Sequence, residues 1–419
     1  MTTVAVIGSG VSGLTAAYLL RTNHDVTLYE ADDRLGGHAH THSLGSGKAA
    51  VGVDSGFIVH NRDTYPLLRK LFSELGVDVV PTEMSMSIAD RHSGLEYAGG
   101  RGLAGIFAQK RRIADPRFLG MLLQVKRFHR VAAAHLVDTD DGDLSTYGEF
   151  LTRHGFSDHF IRMFAIPLVS CVWSTGSARS LDYPARYLFT FLDNHGMLTV
   201  RGSPQWYTVR GGSSTYVDRV AATIDEVITG APVTRIERGE DGVRIGDSGR
   251  ADRVFDRVVI ATHADQALDL LADASEVEKQ VLGAFGYAEN ETVLHTDGSL
   301  MPTVAGAGAG WNHLTPEAGP EDAPPVVTYW MNRLQGLPGP VQYYVTLNGR
   351  DRIKPESVIA TMAYAHPVYT PEAVAAQKQL PRLCTSNTAF AGAYHGWGFH
   401  EDGVRSGAAA AAHFGAGWP

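Results

Sequence analysis

Cysteine is nearly missing from this chain. Cys171 and Cys384 are the two in 419 residues. Two cysteines cannot make a disulfide framework, and they suit a reducing compartment. No run of 18 or more apolar residues occurs, so a spanning helix is not expected. The apolar N-terminus VAVIGSGVSGLTAAYLL has no basic residue ahead of its apolar stretch, and three glycines interrupt it. It reads as a buried strand entering a helix, not as a secretory signal. Positive charge is in deficit: 36 Lys and Arg against 45 Asp and Glu leave −9. That balance argues against a nucleic-acid partner. Lysine is scarce, with seven residues at 48, 70, 110, 126, 279, 354 and 378. A hydrophobic fraction of 44% excludes disorder. A cytoplasmic protein is expected, with two or three domains or one interwoven body.

Glycine is plentiful, at 46 residues, and its placement carries information. A short apolar strand (Val4–Ile7) precedes Gly8-Ser9-Gly10-Val11-Ser12-Gly13. A helical stretch follows, then a second strand (Asp25–Glu30) that ends in an acid. Strand, glycine turn, helix, strand and acid in this order are the dinucleotide-binding fingerprint. Gly8 permits the tight turn, Gly10 lets the backbone approach a pyrophosphate, and Gly13 lets helix and strand pack closely. The helix start at Val11 and Ser12 offers unpaired N–H groups to phosphate. Glu30 can accept hydrogen bonds from both hydroxyls of an adenosine ribose.

Next comes Ala31-Asp32-Asp33-Arg34-Leu35-Gly36-Gly37-His38-Ala39-His40-Thr41-His42. A second glycine pair just after the ribose acid belongs to flavin enzymes more than to nicotinamide enzymes. The chain resembles the glutathione-reductase-type FAD proteins, in the branch shared by flavin-containing amine oxidases and phytoene-type desaturases. Within it, the chain looks like a bacterial subgroup often encoded beside cyclopropane-fatty-acid-synthase-like methyltransferases. The motifs that carry the resemblance span the chain: VDSGFIVHNRDTYP (53–66), VWSTGSARSLDYPA (172–185), NHGML (194–198), WYTVRGGSSTYV (206–217), VVIATHADQAL (258–268), TYWMNRLQGL (328–337) and FAGAYHGWGFHEDGVRSG (390–407).

The resemblance implies non-covalent FAD on an α/β fold. A Rossmann FAD-binding domain (1–75, 206–285, 381–419) would interweave with an α+β substrate domain, helical over 76–205 and an antiparallel sheet over 286–380. It places Ala31, Arg34, Gly36, Gly37, His38, Phe57, Val233, Thr262, Gly392, Asp402, Gly403 and Val404 at the cofactor, with Val233 as the backbone contact to adenine. His38 would stand by the pyrophosphate, where amine oxidases usually have arginine. Catalytic candidates are His60, Tyr394, His395 and Trp397, with His400 as a further acid or base. Phe57, Tyr394, Trp397, Trp330 and Tyr344 are expected around the flavin face. No metal site is expected, because the alternating His38, His40 and His42 lack a matching ligand set.

Two departures from amine oxidases stand out. The acid after Phe390-Ala391-Gly392 is replaced by Ala393, with Glu401 or Asp402 as substitutes. The substrate-domain strand Asn290–Leu294 has no lysine. The resemblance therefore implies an FAD-dependent oxidoreductase taking a hydride from an apolar or lipid substrate. Its rivals are an amine oxidase, a redox-neutral double-bond isomerase and an FAD-stabilised scaffold. Residues 101–130 hold eight Lys and Arg against Asp115, with bulky apolar residues interleaved. They read either as a contact for anionic lipid or the mouth of an acyl channel, or as a solvated basic face over ordinary cap helices. The oligomeric state is open.

Overall fold

The structure is a computed structural model that describes residues 1–47, 50–140, 142–173, 180–198, 204–316 and 326–418. Residues 174–179 of the VWSTGSARSLDYPA motif, and Lys48, lie outside the described residues.

Five parallel strands make the central sheet, in the order Glu226–Ile228, His24–Tyr29, Thr2–Ile7, Arg257–Ile260, Thr388–Phe390. The middle strand is buried at Val4, Ala5, Val6 and Ile7. Such a continuous apolar run is what a strand covered on both faces needs. On one face lies the helix Val11–Leu20, every residue of which is buried. It is sandwiched between the sheet and the last helix, His400–His413. On the other face pack Ala264–Leu270, Glu276–Leu282 and an antiparallel meander of Val233–Gly239, Gly242–Asp247 and Arg253–Phe255.

The second sheet has seven strands, in the order Val358–Val368, Gly286–His295, Tyr344–Leu347, Val326–Trp330, Trp311–Thr315, Met86–Asp90, Leu95–Gly99. All neighbours are antiparallel except Trp311–Thr315 with Met86–Asp90. A helical layer that includes Pro116–Asp138, Tyr147–Arg153, Ile166–Trp173 and Ala185–Asn194 has its own aromatic core, built on Phe118, Phe128, Phe150, Phe160 and Phe189. Pro116 opens its long helix, and the Asp115 carboxylate caps it by accepting from the N–H groups of Arg117 and Phe118.

The sheet strand after the glycine turn at 211–212 is Glu226–Ile228, and Val233 instead opens the meander. Between the strands Val326–Trp330 and Tyr344–Leu347 comes the helix Met331–Gln335, which ends at left-handed Gly336 (φ 62°). The last helix begins at His400, three residues before Gly403. Glu401 and Asp402 therefore lie in its first turn.

Candidate active site

The nucleotide end is assembled from the first thirty residues. The Gly8 N–H donates to the Tyr29 carbonyl (2.9 Å), at a φ of 99° that glycine tolerates. A Cβ on Gly13 would stand 1.8 Å from the Gly8 carbonyl oxygen, so that position admits no side chain. A Cβ on Gly10 would meet nothing within 4 Å. Gly10 thus leaves an open approach at the start of the Val11–Leu20 helix, where no side chain caps the first N–H groups. That is the cradle a pyrophosphate needs. Glu30 Oε2 accepts from the Ser9 N–H (2.9 Å) and Ser9 Oγ (2.5 Å), and Oε1 from the Asp32 N–H (3.0 Å). Its carboxylate is thereby fixed at the end of the second strand, next to Ala31.

The second glycine turn folds onto the first. The Gly36 N–H donates to the Ser9 carbonyl (3.1 Å), and a Cβ on Gly37 would lie 3.3 Å from Gly10 Cα. Arg34 Nη1 donates to the Gly37 carbonyl (2.8 Å), which holds the turn from outside. Gly403, in the first turn of the last helix, faces Val11 and Ser12, and a Cβ there would come within 2.5 Å of Val11 Cγ1. Two helix N-termini therefore meet, bringing together Gly10, Val11, Ser12, Gly36, Gly37, Gly403 and Val404. Gly392 N–H is bonded to Ser406 Oγ (2.9 Å), tying the end of the Thr388–Phe390 strand to the same helix. Thr262 lies just past the Arg257–Ile260 strand, and its methyl is 3.5 Å from a Cβ built on Gly8.

Around this junction stand buried and half-buried rings. Phe57 stacks on His400, with centroids 3.8 Å apart. The Phe57 N–H donates to the His38 carbonyl (2.8 Å). His38 faces Tyr364 (4.8 Å), His366 (5.4 Å) and His263 (6.1 Å). Burial holds the His38 imidazole well below its ordinary pKa, with the neighbouring histidines adding to the effect. Burial likewise pushes His60, His366 and His395 down to about 4, and His400 to about 3. These are neutral imidazoles at pH 7, able to donate at one nitrogen and accept at the other. His38 Nε2, His395 Nε2, Trp397 Nε1 and both nitrogens of His60 are buried with no protein partner. Buried polar atoms rarely lack partners. An open phosphate cradle beside unpaired ring nitrogens fits a bound FAD.

The loop 392–399 is pinned by Tyr187 Oη and Gln377 Nε2, which donate to the Gly396 carbonyl (2.7 and 2.6 Å), and by Trp173 Nε1, which donates to the Trp397 carbonyl (3.0 Å). The expected aromatic group is divided. Phe57 packs in the core beneath the first helix, Trp397 against the helical layer and Tyr394 on the opposite face of the parallel sheet beside Phe285. Trp330 packs on Tyr344, and Tyr344 in turn on His295. Asp402 accepts from the Phe399 N–H (3.0 Å) and pairs with Arg405, so its carboxylate caps its own helix. Glu401 is likewise committed, accepting from the Leu67 and Leu68 N–H groups.

Sequence reasoning gave no role to Asp54, which is buried and whose pKa burial raises to about 6. It accepts from Thr41 Oγ1 (2.6 Å), Ser213 N–H and Oγ (2.9 and 2.7 Å) and Gln335 Nε2 (2.9 Å). It thereby joins the strand Thr41–Leu44 and the start of the helix Ser214–Ala221 to the Met331–Gln335 helix. Tyr364 and His366 were also missed. Their alternate placing on one strand, AYAHPV, was the available signal.

The model of the flavin-containing amine oxidoreductase family matches residues 11–290. The chain belongs to that family. Its cofactor is FAD. A Mycobacterium tuberculosis protein named as a flavin-containing monoamine oxidase, AofH, is 28% identical over 279 residues, 62% of this chain. The match spans 56% of that relative's length. A coproporphyrinogen III oxidase of Mycobacterium leprae is 25% identical over 291 residues, covering 64% of this chain and 60% of its own. Among solved structures, cyclohexylamine oxidase from Brevibacterium oxydans superposes with a TM-score of 0.71, at 18% identity and 98% coverage of both chains. The CLA-producing fatty acid isomerase of P. acnes gives 0.70, at 18% identity and 97% coverage of both. At such identity these structures establish the fold, a Rossmann FAD-binding domain with an interwoven substrate domain.

Proposed function

We propose that this flavoenzyme abstracts a hydride from a carbon of an apolar, acyl-like substrate. The observation that carries the reading is the character of the chain around the junction. All six described lysines (70, 110, 126, 279, 354, 378) are exposed, so none is placed to hold a water at a buried flavin. The rings there are neutral imidazoles and large aromatics, and the buried carboxylates Glu401 and Asp402 are spent on helix caps. Phe191 stacks on Phe399 (4.7 Å) and meets Trp173 (4.6 Å) and Trp397 (6.4 Å). These four rings are continuous with the apolar core under the long cap helix. A hydrocarbon chain is at home against such a wall, whereas an ammonium group loses its hydration there.

Bound FAD supplies the hydride acceptor. The chain's own residues position and exclude water. The Gly8–Gly13 turn and the first helix hold the phosphates, Glu30 the ribose, and the start of the last helix directs N–H groups toward the cofactor. His38, His60 and His395 are the candidates to hold or take a proton.

The fold is shared with a fatty acid isomerase and with amine oxidases, so both alternatives enter the test. Unsaturated fatty acids and primary amines are screened for anaerobic bleaching of the flavin, with the products weighed by mass spectrometry. Acyl substrates that bleach the flavin and emerge two mass units lighter support the proposal. A product of unchanged mass with a moved double bond selects the isomerase. Bleaching by amines alone, with peroxide formed on admitting oxygen, overturns the acyl reading.

A further inference from the structure

The long helix Pro116–Asp138 has two faces. Phe118, Met121, Phe128, Ala132 and His135 turn inward and are buried. Leu119, Leu123, Lys126 and Arg130, three and four residues apart, form an outward stripe. Leu119 and Leu123 are 37% and 67% exposed, and on the preceding turns Leu103 and Ile113 reach 73% and 57%. The bases of the segment divide by role. Arg101 donates to the Gly306 and Gly308 carbonyls, Arg112 pairs with Asp115, and Arg127 bonds the His154 carbonyl and covers the Phe156 ring. Lys110, Arg111, Arg117, Lys126 and Arg130 are exposed among the four apolar side chains.

Exposed apolar residues scattered singly are ordinary. Four large ones among five exposed bases, within thirty residues, are a different surface. Solvation alone would not place leucine and isoleucine outward. Charge selects the occupant, because this segment carries +7 in a chain of −9. The acids Asp138, Asp140 and Asp143 follow at the far end of the helix, so an anionic plane would draw down its N-terminal half and repel its end. We propose that this face docks on an anionic lipid bilayer. Leu103, Ile113, Leu119 and Leu123 enter the interface, and the five bases meet the headgroups. The inference is independent of the substrate the flavin site takes.

The test is flotation of the FAD-loaded protein with phosphatidylglycerol/phosphatidylcholine vesicles and with pure phosphatidylcholine vesicles. The wild type is expected to float with the first at low salt, to stay behind with the second, and to be released at about 0.5 M salt, where the screening length is only a few ångströms. Lys110→Gln/Arg111→Gln/Lys126→Gln should lower the partition constant about a hundredfold, at ~1 kcal/mol per base. Leu119→Ser/Leu123→Ser should weaken flotation at unchanged charge. All five positions are exposed, so flavin content and thermal unfolding should not change. A wild type that fails to float at low salt overturns the proposal. So does a leucine variant that floats undiminished, or self-association through this face without flotation.

Discussion

Phe57 and His400 lie face to face, their ring planes within 15° of parallel. The contact joins the loop between the strands Val51–Asp54 and His60–Asn61 to the first residue of the last helix. It thereby sets where that helix points its free N–H groups. Tyr216 Oη lies 3.3 Å from His400 Nε2, a weaker second hold. His400→Ala is expected to destabilise the protein by about 1–3 kcal/mol, a ring pair plus the hole it leaves. His400→Phe keeps the stack and should recover most of that loss. Urea unfolding midpoints decide, and equal midpoints for the two variants would sink the assignment.

Gly10 and Gly13 should fail differently. A side chain at 13 collides with the Gly8 carbonyl, so Gly13→Ala must shift the strand–helix packing and lower stability outright. A Cβ at 10 meets no atom within 4 Å, so Gly10→Val should fold with nearly unchanged circular dichroism and emerge colourless. A Gly10→Val protein that retains its flavin would show that the phosphates lie elsewhere.

The glycine turns, the acid at 30 and the parallel strands around them were legible because each is local, written within one strand–helix–strand unit. The relationships that assemble the site were not. Asp54 and Gln335 are 281 residues apart, and no spacing rule pairs them. Phe57, Tyr394 and Trp397 looked alike as aromatic residues in flavin-family motifs. They fall into three cores because the sheet passes between Tyr394 and Phe57, while the loop 392–399 turns Trp397 to the helical layer. Asp402 reads as a free acid near a helix start. Whether it caps its own helix depends on where the helix begins, at His400.

Glu30→Ala should cost FAD affinity by ~1.5–3 kcal/mol, the scale of hydrogen bonds to a charged acceptor. FMN, which lacks the adenosine ribose, should bind the wild type far more weakly. The same carboxylate accepts from the Ser9 and Asp32 N–H groups, so Glu30→Gln serves as the milder control. Titration of apoprotein with both flavins is the measurement. Equal affinities for FMN and FAD contradict the ribose role.

Acid should unfold the protein early. His40, His60, His366 and His395 are held at about 4, and His400 at about 3, chiefly by burial. The unfolded chain takes up protons near 6.5, the folded one only near 4. Unfolding therefore binds protons, so stability is full above about pH 6.5 and falls as pH drops toward 4. Asp54 and Asp402, raised to about 6 by burial, work the other way. They bind protons first in the folded state, and two carboxyls offset only part of five imidazoles. Melting curves at about pH 8, 6.5 and 5 should show a plateau and then a fall; a flat profile would contradict the burial of these rings.

Glu401 should matter for stability and not for the flavin. Pro66 opens the helix Pro66–Glu74 and has no N–H, so Leu67 and Leu68 carry its first amide donors. Both point at Glu401, at 3.0 Å and 2.9 Å. The carboxylate also sits at the positive end of that helix. Glu401→Ala leaves two donors without an acceptor, at about 1–3 kcal/mol each where they are buried. Glu401→Gln retains one acceptor and should fall between. Since the carboxylate is spent on this cap, neither variant should alter the FAD dissociation constant once compared at temperatures where both are folded. A loss of FAD affinity without a loss of stability would instead place Glu401 at the cofactor, in the role of the acid that is missing at Ala393.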